Sequence, residues 1–492
     1  MNRLKVLLLA LVVLCCAVSQ RWAKADTFNA AELYPSGAVH AKVLPNGVHT
    51  LVRTTPGSGV VSLQVWVEAG SRFETAANNG ATHLIEMLAM QGSRDYPTET
   101  DGNLSGPQTR LENLGGDVNS FTARDDVFWS VTLAPSGLGE AAKIMANAVL
   151  HPNLGDEDVA AAKTMAAGEW MAHRMDPVAY SSDLAYKTAY RTQPYGKPVQ
   201  GDINTLKQLS GHAVREYYNQ RFTGSHFHVV VVGDVDVAAA ANILAEAFAQ
   251  APKTATPDAA VPAQSPWQGK RQVTERGALP IEVLTFAWPS PGITSPQDTV
   301  ATDLLLTYLN EGTGAALRQK LQDGADEESS DDDENESSQK EPAGLAGGFS
   351  VDYLTQRDTG LFLITIIAPI KKDEAVAAVM ELMEGAKGGL PEAGLQYAKT
   401  MLRRQYVEQA ETSTGQAGGL GFYDAIDSYE FAVNYLKLVD QTTNADIARV
   451  AQKYFGSENY VQVTLLPSLN NAPPTEGGGI IASLQNQNVK VY

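Results

Sequence analysis

From about residue 37 onward, apolar positions alternate in two rhythms, one of period two and one of helical period. Val60–Val67 is apolar at alternate positions from Val61 and predicts a strand, as do 117–122 and 127–133. An Ala-rich stretch from about Asp156 to Arg174 predicts a helix, with acids in its first turn and Pro177 beyond its end. His228-Val-Val-Val-Val-Gly-Asp predicts an apolar strand. Residues 252–268 carry Pro252, Pro257, Pro262 and Pro266 among Ala, Thr and Ser, and predict a linker. The same order then recurs: a strand at Ile281–Trp288, a helix at Thr299–Leu309, a strand at Gly360–Ala368, helices at 373–386 and 391–410, and a last strand at Tyr460–Leu466. This recurrence predicts an internal duplication into two α+β halves, 35–251 and 269–470, followed by a tail at 471–492.

The chain has 492 residues, more than one hydrophobic core usually serves. An apolar share of 44% against 19% charged excludes a wholly disordered or fibrous protein. With 37 Lys and Arg against 56 Asp and Glu, the net charge is −19, which argues against a nucleic-acid partner. Nine acids and one Lys fall within 326–341, so an insertion at 324–342 interrupts the second half and is expected to be a disordered surface loop.

At the N-terminus, Arg3 and Lys5 precede thirteen apolar residues, Val6–Val18, and then Ala23-Lys24-Ala25. A basic start, an apolar run too short to span a bilayer and a small-residue cleavage site predict a signal peptide over 1–25. The mature protein is then exported, periplasmic or secreted; a mitochondrial presequence is the alternative. Cys15 and Cys16 both lie in the removable segment, so the mature chain would offer neither a disulfide nor a thiolate ligand. No later run reaches 18 apolar residues, so no membrane span is expected.

The segment with the most chemistry is Gly80-Ala-Thr-His83-Leu-Ile-Glu86-Met87. On a helix, His83, Glu86 and Met87 fall at i, i+3 and i+4 and share one face. A zinc hydrolase uses such a face to hold the metal with two imidazoles and to deprotonate its water with a carboxylate. By itself, H-x-x-E on a helix is more often plain surface chemistry. Here the sequence resembles the M16 (pitrilysin-like, mitochondrial processing peptidase-like) family, whose helix carries the inverted motif H-x-x-E-H. Leu44-Pro-Asn-Gly-Val48, Val67-Glu-Ala-Gly-Ser-Arg-Phe-Glu74, Gly115–Thr122 and Asp358-Thr-Gly-Leu-Phe362 resemble further family segments in the family's order.

The resemblance implies two homologous α+β halves, of the LuxS-like metalloenzyme type, closing like a clamshell. It implies His83 as first zinc ligand, Glu86 as general base and Glu169 as distal ligand. The second His is replaced by Met87, and a thioether suits Cu(I) better than Zn²⁺. In the second half, active relatives place an Arg and a Tyr against the substrate. Arg318 is the candidate Arg, while Gly344-Leu-Ala-Gly347 has glycine where the Tyr would stand. Two losses imply a pseudo-peptidase with Glu86, His83 and Glu169 as vestiges and no cofactor. Its implied place is a heterodimer with an active M16 homologue, binding peptides that the acidic insertion would bias towards basic ones. The alternatives are an active zinc endopeptidase with an incomplete ligand set and a structural subunit like the core proteins of a respiratory complex.

Other candidates have blander readings. His226-Phe-His228 offers a strand metal pair but is expected to lead into the core strand. His173, one turn beyond Glu169, is expected to belong to the helix end. Gly312-Thr-Gly314 lacks the Gly-Lys-Ser/Thr of a phosphate loop.

Overall fold

The computed structural model describes residues 33–35, 37–98, 106–191, 193–254, 267–323 and 344–468. The expected signal peptide, the acidic run, most of the linker and the tail lie outside the described residues. The compact body begins at His40, and the architecture below is that of the body.

The first half builds a sheet from β1 (His40–Val43), β2 (His49–Thr54), β3 (Val61–Val67), β4 (Asp117–Thr122), β5 (Val127–Leu133) and β6 (Phe227–Gly233), in the order β1-β2-β6-β3-β5-β4. The second half uses β7 (Arg271–Arg276), β8 (Val283–Pro289), β9 (Ala346–Tyr353), β10 (Leu361–Pro369) and β11 (Val461–Leu466), in the order β7-β11-β8-β10-β9. Without β1, the two orders superpose strand for strand. Each sheet has one parallel pair, β2 with β6 and β7 with β11, and is otherwise antiparallel. The recurrence expected from the pattern is therefore a repeated topology of two α+β halves.

The central strands β3 and β6 are buried at every residue; β6 accordingly carries an unbroken run from Val229 to Val232, whereas β3 alternates and buries Ser62 and Gln64 on its second face. Their two faces have different covers, because successive side chains point to opposite sides. Val61, Leu63, Val65 and Val67 of β3, and Phe227, Val229 and Val231 of β6, face the core of their own half. There they meet Leu84, Ile85 and Leu88 of helix α1 (Ala81–Gln91) and the helix Leu138–Leu150.

Among the helices, α2 (Asp156–Met175) runs on to α3 (Pro177–Tyr190), which starts at an Asp176 cap and a proline in its first turn. α3 does not return to its own sheet. Tyr180, Leu184, Tyr186 and Tyr190 pack with Val283, Leu361, Leu363, Val461 and Val463 of the second sheet. Reciprocally, α4 (Ser413–Ile426) of the second half lies on β3 and β6 of the first. Gln64 Nε2 donates to the Thr414 carbonyl at 3.0 Å, and the Trp66 and Phe422 rings meet at 6.2 Å. The halves thus exchange one helix each.

Candidate functional site

Helix α1 begins behind Gly80, whose φ of 98° is the left-handed conformation that glycine adopts without strain. No N-cap side chain of α1 itself closes this end. Instead, the buried Glu74 carboxylate accepts from Gly80 N, Thr82 N and Asn79 Nδ2, each at 2.8 Å. The positive end of the helix and three donors compensate part of its burial, yet desolvation still raises its pKa. Thr82 Oγ1 also shares a hydrogen bond of 2.8 Å with Tyr217 OH. The start of α1 is fixed from two sides, by Glu74 and by Tyr217, and with it the direction of the next residue, His83.

His83 is 8% exposed. Its Nε2 stands 2.9 Å from Oε2 of Glu169, on the neighbouring α2, at ion-pair distance but outside hydrogen-bond geometry. Burial lowers the His83 pKa and the Glu169 charge opposes that, so the imidazole is held towards its neutral form. One turn on, the Glu86 carboxylate accepts from Ser120 Oγ at 2.7 Å and Thr122 Oγ1 at 2.5 Å, both on β4. Its pKa is raised by burial, with the two hydroxyls pulling it back. The Trp129 indole donates to the Glu86 carbonyl at 3.1 Å, tying the middle of α1 to β5. Met87 is half-buried and packs against the apolar core of the first half.

The structure therefore brings His83 and Glu169 together and sets Glu86 on the same helix. Arg318 ends a single helical turn, donates from Nη1 to Gln322 Oε1 at 3.0 Å and lies over the Phe349 ring at 5.9 Å. Gly344 to Gly347 run into β9, the edge strand paired with β10. His173 takes Asp183 as partner at 2.9 Å, and His226 Nδ1 lies 2.7 Å from the Arg221 carbonyl. His228 has a richer environment than a lead-in to a strand: Nδ1 is 2.6 Å from Asp424 and Nε2 is 3.2 Å from Glu68. The pattern of the sequence held a signal for His228 but none for Asp424, which arrives on the exchanged helix.

Comparison with known proteins places these residues in a family. Residues 49–203 match the family described as Insulinase (Peptidase family M16), and residues 208–402 match the Peptidase M16 inactive domain. An uncharacterized zinc protease of Streptomyces coelicolor is 25% identical over 58% of this chain, and the match spans 62% of that relative's length. The mitochondrial-processing peptidase subunit beta of Saccharomyces cerevisiae is 22% identical over 77% of this chain and 80% of its own. Cytochrome b-c1 complex subunit 1 of Mus musculus is 22% identical over 52% of each chain. Among solved structures, a Helicobacter pylori protease superposes with a TM-score of 0.74 at 20% identity, covering 87% of this chain and 99% of that one. The peptidase M16 inactive domain of Pseudomonas fluorescens gives 0.73 at 18% identity, over 88% and 99%. Among the described residues, no helix is long and apolar enough to cross a membrane.

Proposed function

This chain belongs to the M16 peptidase family, and we propose that it is a pseudo-peptidase: an exported, non-catalytic subunit that binds peptide beside an active, zinc-bearing M16 homologue. The observation that carries the reading is Met87. A catalytic zinc takes three protein ligands and one water. His83 Nε2 and Glu169 Oε2 supply two donors 2.9 Å apart, and where the motif calls for a second His the chain has Met87, which packs against the core. This donor set does not fit a three-ligand zinc centre. Without the metal, no acidified water is available to the Glu86 carboxylate.

What these residues do instead is structural. Glu86, bonded to Ser120 and Thr122, fastens β4 to α1. β4 is the last strand in the order of its sheet; among the described residues no strand pairs with its outer side, which offers an edge on which an extended peptide can pair. Relatives named as subunits, of the processing peptidase and of the cytochrome complex, support a role realised in an assembly. The acidic run would favour basic peptides by long-range attraction, a preference that weakens as salt rises.

The test is peptide hydrolysis by the purified mature chain, with and without chelator, and co-purification from the native source. The expected result is no chelator-sensitive cleavage by the chain alone and a zinc-bearing homologue bound to it. Met87→His should add one equivalent of zinc to whatever the wild type holds, because His83 and Glu169 already stand in position. Chelator-sensitive cleavage by the lone wild-type chain would establish the alternative, an active endopeptidase with an incomplete ligand set.

A further inference from the structure

A second cluster of metal-type donors lies on the opposite face of the first sheet. His49 opens β2 and His228 lies directly opposite it on the parallel β6. Neighbouring strands in register put both imidazoles on one face, and their ring centroids are 4.9 Å apart. The exchanged helix α4 lowers Asp424 onto that face. One donor atom from each of His49, His228 and Asp424 lies within 4.8 Å of the other two. We propose that these three residues form a binding site for a divalent transition-metal ion of the zinc class, joining the first sheet to the helix it receives from the other half.

The surroundings are those of a ligand set. A metal-bound imidazole usually donates its second nitrogen to a carboxylate, which fixes the ring and its tautomer. His228 does this: Nδ1 faces Asp424 and Nε2 faces Glu68 Oε1 at 3.2 Å, while Arg357 Nη2 holds the other Glu68 oxygen at 2.9 Å. His49 Nδ1 stands 3.7 Å from Asp424 Oδ2, too far for a hydrogen bond. That spacing is close to the roughly 3.3 Å between two donors of a tetrahedron with bonds of about 2.0–2.1 Å. The 2.6 Å contact between His228 and Asp424 would open by about 0.7 Å to admit the ion.

Two imidazoles and one carboxylate select zinc over Mg²⁺ and Ca²⁺, which prefer oxygen alone, and over Cu(I), which prefers sulfur. His228 and Asp424 are buried, whereas the His49 side chain is 41% exposed and leaves a route of entry and a fourth position for water. The competing arrangement is a proton on His228 shared between the two carboxylates, which holds the same groups with no ion.

The experiment uses the full mature chain carrying His83→Ala and Glu169→Ala, so that only the new cluster remains. Zinc is titrated against a chromophoric chelator, and Co²⁺ is titrated by its visible absorption. The expected result is one equivalent of either ion, a tetrahedral cobalt spectrum and a melting temperature several degrees higher with zinc. Adding His49→Ala should weaken binding at least about tenfold. Because His49 is half-exposed, this variant should keep the metal-free circular dichroism and melting temperature. Absence of stoichiometric zinc in the His83/Glu169 variant would overturn the proposal, as would binding that His49→Ala leaves unchanged. Zinc bound by the wild type but lost with His83 and Glu169 would likewise overturn it, and would separately count against the pseudo-peptidase reading.

Discussion

Arg72 of the first half and Asp358 of the second form an ion pair of 2.8 Å across the join between the halves. The Arg72 guanidinium also donates to Tyr195 OH at 3.0 Å, and Tyr195 in turn donates to Asp125. The backbone N–H groups of Arg357 and Asp358 close the network onto Asp125 and Tyr195. Two sequence segments that look unrelated, around Ser-Arg-Phe-Glu and around Asp-Thr-Gly, are thus halves of one contact.

Removing one partner of a buried pair leaves the other charge uncompensated, which costs about 3–5 kcal/mol. Asp358 keeps 22% exposure, so the lower end applies. Arg72→Met should therefore lower stability by roughly 3 kcal/mol in urea unfolding, with no change in zinc content. A loss below about 1 kcal/mol would mean that water replaces the guanidinium at Asp358.

Gly421 sits where α4 crosses β3. A Cβ there would stand 2.2 Å from Trp66 Nε1, and the indole cannot yield easily because it donates to Gln64 Oε1 and stacks on Phe128 at 4.3 Å. Gly421→Ala should cost about 1–3 kcal/mol through overpacking, more than the roughly 1 kcal/mol that alanine contributes to a helix. Gly419 has open space around its Cα and supplies the control: Gly419→Ala should stabilise by up to about 1 kcal/mol. Equal effects at the two positions would show that α4 does not press on Trp66.

Helix exchange also predicts how the chain behaves when cut. Tyr180, Leu184 and Tyr190 belong to the first half in sequence but to the core of the second in space. A protease site introduced between residues 255 and 266, once cleaved, should leave two fragments that co-elute in native size exclusion and separate only in denaturant. Separation under native conditions would contradict the exchanged packing.

Much of this was legible in the sequence, and the exceptions share a cause. β4, β5, β6 and α2 lie where the sequence pattern places them: β4 and α2 turn one face inward, while β5 and β6 are covered on both. Periodicity reports that a face is buried, not what covers it, so nothing in 177–190 or 413–426 reveals a change of partner. α4 also carries Gly415, Gly418, Gly419 and Gly421, a composition that reads as a loop until its packing on β3 is known. In the candidate site, helical spacing places His83, Glu86 and Met87 on one face, while their roles, and Glu169 altogether, come only through the family resemblance. The His49 and His228 pair needs the strand register, and Asp424 lies 196 residues beyond His228.

The last expectation concerns pH. Asp126 is 2% exposed, and its Oδ2 has no hydrogen-bond partner among the described residues. Burial first, and then the neighbouring Asp125 charge, push its pKa up to about 8, with Arg357 and His228 opposing. In the unfolded chain the group titrates near 3.8, so between about pH 4 and pH 8 the folded state holds a proton that the unfolded state has released. Stability from this group must then fall as pH rises through that window. Asp126→Asn keeps the neutral shape at every pH and should remove the decline. The difference in unfolding free energy between variant and wild type should therefore grow in the variant's favour from pH 5 to pH 8, by on the order of a few kcal/mol. A pH-independent difference would mean that Asp126 is ionised in the folded protein across the range, its charge met by Arg357.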